Sequence, residues 1–271
     1  MPDMASTITT IDVAIPTHES ASVLGTTLDH LARSEEASSI EIECLRIIDD
    51  ESEDDTCALA TDRTEEYGWS LDIVSEACSL PAAREQAIER VETEWFLFLD
   101  DDARIEEDYL EAHASAIAPR IGALQGRKTS QTTTADPEPT VDTTTERHPS
   151  AWVHHRSFRG GTHATLVRHA AAAGVKFPAD LTVWEDQYLR RHIESQGYLW
   201  VFNHQARFAH RTQNPRSQGW TEGYLQGKYD LRPGWHVALG IPNAVISESS
   251  TWSAVAQFAG YTVGRVIGSI G

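Results

Sequence analysis

Trp95-Phe96-Leu97-Phe98-Leu99-Asp100-Asp101-Asp102-Ala103-Arg104 sets five large apolar residues directly against three carboxylates. An unbroken apolar, aromatic-rich run of this length, bounded by charge, predicts a strand buried on both faces of a sheet. Three carboxylates inside such a strand would be prohibitively costly, so they belong where the strand ends and a loop begins. In open α/β sheets that edge is where ligands bind. Oxygen ligands gathered there suit a hard divalent cation, and such a cation suits a substrate carrying phosphates.

The flanking chain supports a sheet of this kind. Ile11 to Pro16 reads as a first strand, and Ser20 as the cap of a helix with Val23, Leu24, Thr27, Leu28 and Leu31 on one face. Ile40 to Ile48 is a second strand running into Asp49-Asp50-Glu51-Ser52-Glu53-Asp54-Asp55-Thr56, where a second helix starts. Leu71 to Val74 is a third strand, and Pro81 opens a helix carrying Ala83, Ala87 and Val91. Strand and helix in this alternation predict βαβ units and a mostly parallel sheet flanked by helices. Further on, Leu110, Ala114 and Ile117 predict another helix, and Lys128 to Ser150, rich in Thr, Pro and acid, a long mobile loop. Ala164 to Ala173 is helix-prone, Trp184-Glu185-Asp186 starts a helix ending at Gly197, and Tyr198 to Phe202 and Ala206 to His210 read as strands.

Composition narrows the function. The chain has 271 residues, enough for one large α/β domain with additions, and 41 acidic against 22 basic residues give a net charge of −19. Such a surface repels nucleic acid and anionic lipid, so nucleic-acid binding is excluded as a main role. Only Lys128, Lys176 and Lys228 are lysines, and abundant Asp, Glu, Thr and Ala give the look of a protein from a high-salt cytoplasm. In this background an acidic cluster carries weight only where its position is special. Cys44, Cys57 and Cys78 have no metal-ligand spacing and suit free thiols in a reducing compartment. No signal peptide and no spanning helix are expected, which predicts a cytoplasmic location.

Five elements, in order, resemble glycosyltransferase family 2 and its GT-A, Rossmann-like fold. Val13-Ala14-Ile15-Pro16-Thr17 is similar to the family's opening strand, and Asp49-Asp50-Glu51-Ser52-Glu53-Asp54 to its Asp-Asp-x-Ser-x-Asp segment. Ala83-Arg84-Glu85-Gln86-Ala87-Ile88 resembles the Ala-Arg-Asn-x-Gly-Ile helix, with Glu85 where Asn is usual. Phe98-Leu99-Asp100-Asp101-Asp102 resembles the DXD element, and Trp184-Glu185-Asp186-Gln187-Tyr188-Leu189-Arg190-Arg191 the Glu-Asp-x-x-Leu-x-x-Arg helix. The resemblance implies an inverting, hexosyltransferase-type enzyme that moves a sugar from a nucleotide-diphosphate sugar to a glycan or lipid-linked acceptor.

By that resemblance Asp102 ligates Mg²⁺ or Mn²⁺, Asp100 lies near the ribose or the metal, and His210 ligates the metal or touches the diphosphate. Asp101 is either a donor contact or simply solvated. Pro16, Thr17, Asp49, Asp50 and Arg84 fall on the donor side, Asp50 accepting hydrogen bonds from the base. Arg84 either clamps the nucleotide or holds an Asp by bidentate bonds. Asp186, supported by Glu185, is the implied general base for the acceptor hydroxyl, with Trp184 as a local apolar wall. His163, His169, His192 and His204 lack such a context and read as surface or packing residues.

The expected organisation is a GT-A domain over 8–232, made of a nucleotide-sugar half (11–125), a mobile loop (126–150) and an acceptor half (151–232), then an apolar helical or irregular extension (233–271). From Gly234 to Gly271 the only formal charges are Glu248 and Arg265. That stretch packs back on the domain or makes a peripheral membrane or oligomer contact. A Mg²⁺-dependent phosphatase fits less well, because its Asp pair belongs on the first strand, which here ends in Pro16-Thr17. A donor-binding regulatory protein without turnover is the non-enzymatic alternative.

Overall fold

The computed structural model describes residues 10–130, 160–210, 219–232, 234–238 and 251–269. Two compact units share the chain: Met1–Lys176 with His192–Gln213, and Phe177–Arg191 with Asn214–Gly271.

The first unit begins with the expected alternation of β1 (Thr10–Thr17), α1 (Ala21–Glu36), β2 (Glu41–Asp49), α2 (Thr56–Tyr67), β3 (Ser70–Ser75), α3 (Leu80–Arg90) and β4 (Trp95–Leu99). It continues through β5 (Ala103–Ile105), α4 (Tyr109–Ala114), β6 (Ile121–Ser130), β7 (Ala164–Arg168), α5 (His169–Ala172) and β8 (Leu199–His210). One eight-stranded sheet results, in the order β3-β2-β1-β4-β7-β6-β8-β5. The first four of these strands pair parallel. β7 then enters antiparallel to both β4 and β6, β6 and β8 pair parallel, and β5 closes antiparallel on β8. The sheet is therefore mixed, with its parallel part where the alternation places it.

β4 is central and fully buried along its whole length, from Trp95 to Leu99. Each such side chain contributes about 1.5–3 kcal/mol on leaving water. Leu24, Leu28 and Leu31 of α1 close one face of the sheet over Ile11, Val13 and Ile15. Three expectations change. Ala164 to Arg168 is strand rather than helix, because Ala164, Leu166 and Val167 are buried between β4 and β6, and only His169–Ala172 is helical. The two short strands expected after Gly197 are the single strand β8. Residues 126–130, expected to open the mobile loop, continue β6 along β8, and the rest of that loop lies outside the described residues.

The second unit contains the start of α6 (Glu185–Ser195), then α7 (Gly219–Lys228), α8 (Gly234–Ala238) and α9 (Thr251–Gly268). Leu181, Leu225 and Leu231 form its core with Phe177, Tyr188 and Tyr229. α7 and α9 run in the same direction and meet along two glycine rows. Gly219, Gly223 and Gly227 face Ser253, Gln257 and Tyr261, while Gly260 and Gly264 face Trp220 and Tyr224. At Gly223 a Cβ would run into the Gln257 carbonyl, and at Gly264 into that of Tyr224, so no larger residue fits without separating the helices. The glycines of the tail are what let its helix pack. Gly223→Leu is expected to cost about 3 kcal/mol by overpacking, read as a lower urea midpoint of tryptophan fluorescence. An unchanged midpoint would show the seam to be loose.

The outward side of α9 is uncharged and apolar: Trp252 is 84% exposed, and Val255, Phe258, Val263, Val266 and Ile267 are all exposed. Among the described residues no helix is long and apolar enough to cross a membrane.

Candidate active site

The three carboxylates form the turn between β4 and β5, closed by the Ala103 N–H donating to the Asp100 carbonyl at 3.1 Å. As expected they lie outside the buried strand, and the turn sends their side chains to different partners. Asp100 is the hub. Its Oδ1 accepts from Arg84 Nη2 at 3.2 Å, and its Oδ2 meets His163 Nδ1 at 2.6 Å and His210 Nε2 at 3.1 Å. Burial alone would raise the Asp100 pKa, but the charge and hydrogen bond of His163, with His210 and Arg84, hold it well below the usual carboxylate range. Asp102 Oδ1 lies 3.1 Å from the same His210 nitrogen. Its pKa is raised, mainly by burial. Asp101 instead accepts from Ser20 Oγ at the start of α1, and burial pushes its pKa up to about 6. Its own backbone carbonyl takes the Thr27 hydroxyl at 2.6 Å. Asp101 thus ties the turn to α1, and Ser20 serves that contact rather than capping the helix.

Strand register explains the two histidines. β4 and β7 pair Leu99 with Ala164, so Asp100 and His163 are the next residues beyond the ladder, joined by the Asp100 N–H donating to the His163 carbonyl at 2.8 Å. β5 and β8 pair Ala103 with His210. Along β8, Phe208 pairs with Lys128 of β6, bringing Lys128 Nζ to 3.4 Å from His210 Nδ1. Burial lowers the Lys128 pKa while Asp102 and Asp100 oppose it. His163 and Lys128 are therefore site residues that sequence reasoning missed. Arg84 is buried under the turn, its guanidinium 5.3 Å from the Phe98 ring centre, and meets Asp100 through the single bond from Nη2 rather than the bidentate pair expected. Glu85, the departure from the family pattern, pairs with Lys176 at 2.8 Å.

Asp49 ends β2, which β1 separates from β4, and Asp50 follows it; the two differ in kind. Asp49 is fully buried and accepts from Thr17 Oγ1 (2.8 Å), Ser52 N (2.9 Å), Ser52 Oγ (2.6 Å) and Ser75 Oγ (2.9 Å). Burial opposes ionisation, but those bonds, Ser52 first, lower its pKa. It organises the loop. Asp50 accepts from the Cys78 N–H at 2.8 Å and leaves its side chain 43% exposed. Asp49→Asn is expected to cost about 1–3 kcal/mol at pH 7. A depressed folded pKa stabilises fully above the unfolded value of about 4, and that stability is lost as pH falls through the folded pKa. Urea midpoints of the variant and the parent should therefore differ by a constant amount from pH 7 down to about pH 4 and converge as the pH falls further. A gap that stays constant there too would show that the charge of Asp49 is irrelevant.

Glu185 and Asp186 open α6 in the second unit. Trp184 before them has φ 70°, a strained left-handed conformation for a bulky residue. Asp186 Oδ1 accepts the Gln187 N–H at 2.6 Å. The expected apolar wall is not bare, because the Arg232 guanidinium covers the Trp184 ring at 4.4 Å and faces the charge of Asp186. Burial lowers the Arg232 pKa.

Asp100, His163 and His210 each offer one donor atom, all within 4.8 Å of one another, a carboxylate and two imidazoles suited to a divalent metal. With Lys128 and Asp102 alongside, the turn can hold a cation and meet phosphate charge.

Comparison with known proteins agrees with the fold. The sequence model of the family described as "Glycosyl transferase family 2" matches residues 12–175. No curated protein sequence matches the chain. Among solved structures, residues 1–349 of TarS from S. aureus in complex with UDP align at 20% identity with TM-score 0.51, covering 68% of this chain and 55% of that one. The present chain thus spans about half the length of that structure. A mannosyltransferase from Pyrobaculum calidifontis in complex with GDP-Man and Mn²⁺ aligns at 15% identity and TM-score 0.58, covering 95% and 73%. Glucosyl-3-phosphoglycerate synthase from Mycobacterium tuberculosis, with Mn²⁺, UDP and glucosyl-3-phosphoglycerate, aligns at 14% identity and TM-score 0.50, covering 78% and 75%.

Proposed function

The chain belongs to glycosyl transferase family 2, and from that membership we propose that it moves a sugar from a nucleotide-diphosphate sugar to a hydroxyl of a glycan or lipid-linked acceptor, with inversion. The observation that carries this reading is the cluster at the β4–β5 turn, where carboxylates, imidazoles and Lys128 meet at a sheet edge. Structures of the same fold contain UDP, GDP-Man and Mn²⁺.

In this reading Asp100, Asp102 and His210 hold Mg²⁺ or Mn²⁺. The metal, when bound, neutralises the diphosphate as it leaves. Lys128 adds a second positive charge on that side. Arg84 fixes Asp100 in place, and Asp49 shapes the loop that presents Asp50 to the nucleotide base. Pro16 and Thr17 end the strand beneath it. Asp186 takes the proton from the acceptor hydroxyl as the new bond forms, with Glu185 beside it at the helix start.

The test is thermal unfolding of the full chain in high salt with UDP, GDP, ADP or CDP, each with and without Mn²⁺. A nucleotide at a hundred times its Kd stabilises by about 2.7 kcal/mol, or ~5–10 °C for a protein of this size. One of the four should do so only when metal is present. No shift with any of them would overturn the reading.

For a lipid-linked acceptor, the uncharged outward side of α9 provides a surface for peripheral contact with a bilayer. Co-sedimentation with phosphatidylcholine vesicles that is lost in Trp252→Ser/Phe258→Ser supports this contact, and no sedimentation removes it.

A further inference from the structure

We propose that His163 is a second imidazole ligand beside His210, so that the metal centre is a two-histidine, one-carboxylate site selecting a first-row transition-metal dication over Mg²⁺. The use of that metal in sugar transfer rests on the reading above; its binding does not.

The family resemblance supplies carboxylates and one histidine. His163 comes from the Gly160-Gly161-Thr162-His163 segment, 63 residues from Asp100 in sequence, and only the antiparallel insertion of β7 brings it there. The backbone bond from Asp100 to His163 at 2.8 Å fixes the main chain of both residues. Arg84 occupies Asp100 Oδ1 and turns Oδ2 to both rings, whose centres are 4.5 Å apart. The three donor atoms already lie within 4.8 Å of one another. Ligands of one cation with bonds of about 2.1 Å span up to ~4 Å, so small side-chain rotations complete the set. Asp102 Oδ1, 3.1 Å from the His210 nitrogen, offers a further oxygen on the same side.

Donor chemistry then decides the ion. Mg²⁺ takes oxygen ligands in near-ideal octahedra and keeps several waters, so two imidazoles contribute little to holding it. Mn²⁺, Co²⁺ and Zn²⁺ accept imidazole with increasing affinity up to Co²⁺ and beyond, following the usual order for nitrogen and oxygen sites. In a protein of net charge −19, where many surface carboxylates can attract Mg²⁺ weakly, nitrogen donors are the means of discrimination.

The test uses the full chain and the chloride salts of Mg²⁺, Mn²⁺, Co²⁺ and Zn²⁺, without nucleotide, by titration calorimetry. Pulsed electron paramagnetic resonance of the Mn²⁺ form, with ¹⁵N-labelled histidine, counts the coordinated imidazoles. Mn²⁺ and Co²⁺ should bind at least about tenfold tighter than Mg²⁺, and the Mn²⁺ spectrum should show two imidazole couplings. His163→Asn should remove one coupling and most of the Mn²⁺-over-Mg²⁺ preference, and His210→Asn should remove the other. The count in the unaltered protein needs no variant, so a misfolded His163→Asn cannot hide the answer. A single coupling, or Mg²⁺ binding as tightly as Mn²⁺, overturns the proposal. A single coupling together with nucleotide stabilisation would leave the transferase reading standing, whereas two couplings without nucleotide stabilisation would do the reverse.

Discussion

Asp186→Ala is expected to keep nucleotide-sugar binding and to slow sugar transfer by a factor of about 10²–10⁴, the usual contribution of a positioned general base. The loss should fall on kcat, with the KM for donor little changed, because the removed carboxylate would act only on the acceptor proton in the transition state. Asp186 stands in the first turn of α6, with the Gln187 N–H donating to one carboxylate oxygen. Its neighbour Trp184 is held in a strained backbone conformation and covered by Arg232. Such strain persists only where surrounding structure imposes it. The metal-dependent thermal shift should be the same in variant and parent, which separates this variant from any change on the donor side. If transfer survives, the base lies elsewhere, and Glu185→Ala becomes the next variant to assay.

Asp100→Ala should have two effects at once. It removes the carboxylate shared by His163 and His210, so metal-dependent stabilisation by nucleotide disappears. It also strips Arg84, which is only 2% exposed, of the carboxylate 3.2 Å away. Removing one partner of a buried ion pair costs about 3–5 kcal/mol, a fall in Tm of ~6–20 °C at this chain length. Asp102→Ala should lose the metal-dependent shift while unfolding within a few degrees of the parent, since Asp102 pairs with no buried arginine among the described contacts. Equal Tm values for the two variants would show that Arg84 does not depend on Asp100.

Much of this arrangement was legible in the linear sequence. The alternation from β1 to β4 is written in apolar runs and helical faces, and the edge position of Asp100 to Asp102 follows from the cost of burying charge. The second half of the sheet was harder for definite reasons. β6 contains Gly122, Gln125, Gly126, Arg127 and Lys128, so no apolar run marks it, and its strand state comes from pairing on both sides. β7 ends in Arg168 and runs on into alanines, which favour helix, yet burial between two strands prevails over propensity. His163 was hidden by the same error, because its place beside Asp100 exists only once β7 is antiparallel to β4. Lys128, assigned to a loop, was lost with β6. The roles of Asp49 and Asp50 were joined in the sequence and separate only in three dimensions, one oxygen at a time.

The glycine rows of α7 and α9 make the second unit intolerant of insertions. Each α-helical residue turns the chain by about 100°. One residue inserted between Ser253 and Ala259 would therefore swing Gly260, Gly264 and Gly268 out of the seam together and present side chains where only hydrogen fits. Length changes between Ala238 and Thr251 precede α9 in the chain, so they leave the internal spacing of each glycine row unchanged. Chains descended from a common ancestor with this one should differ in length between those two positions and keep the spacing of four within each row.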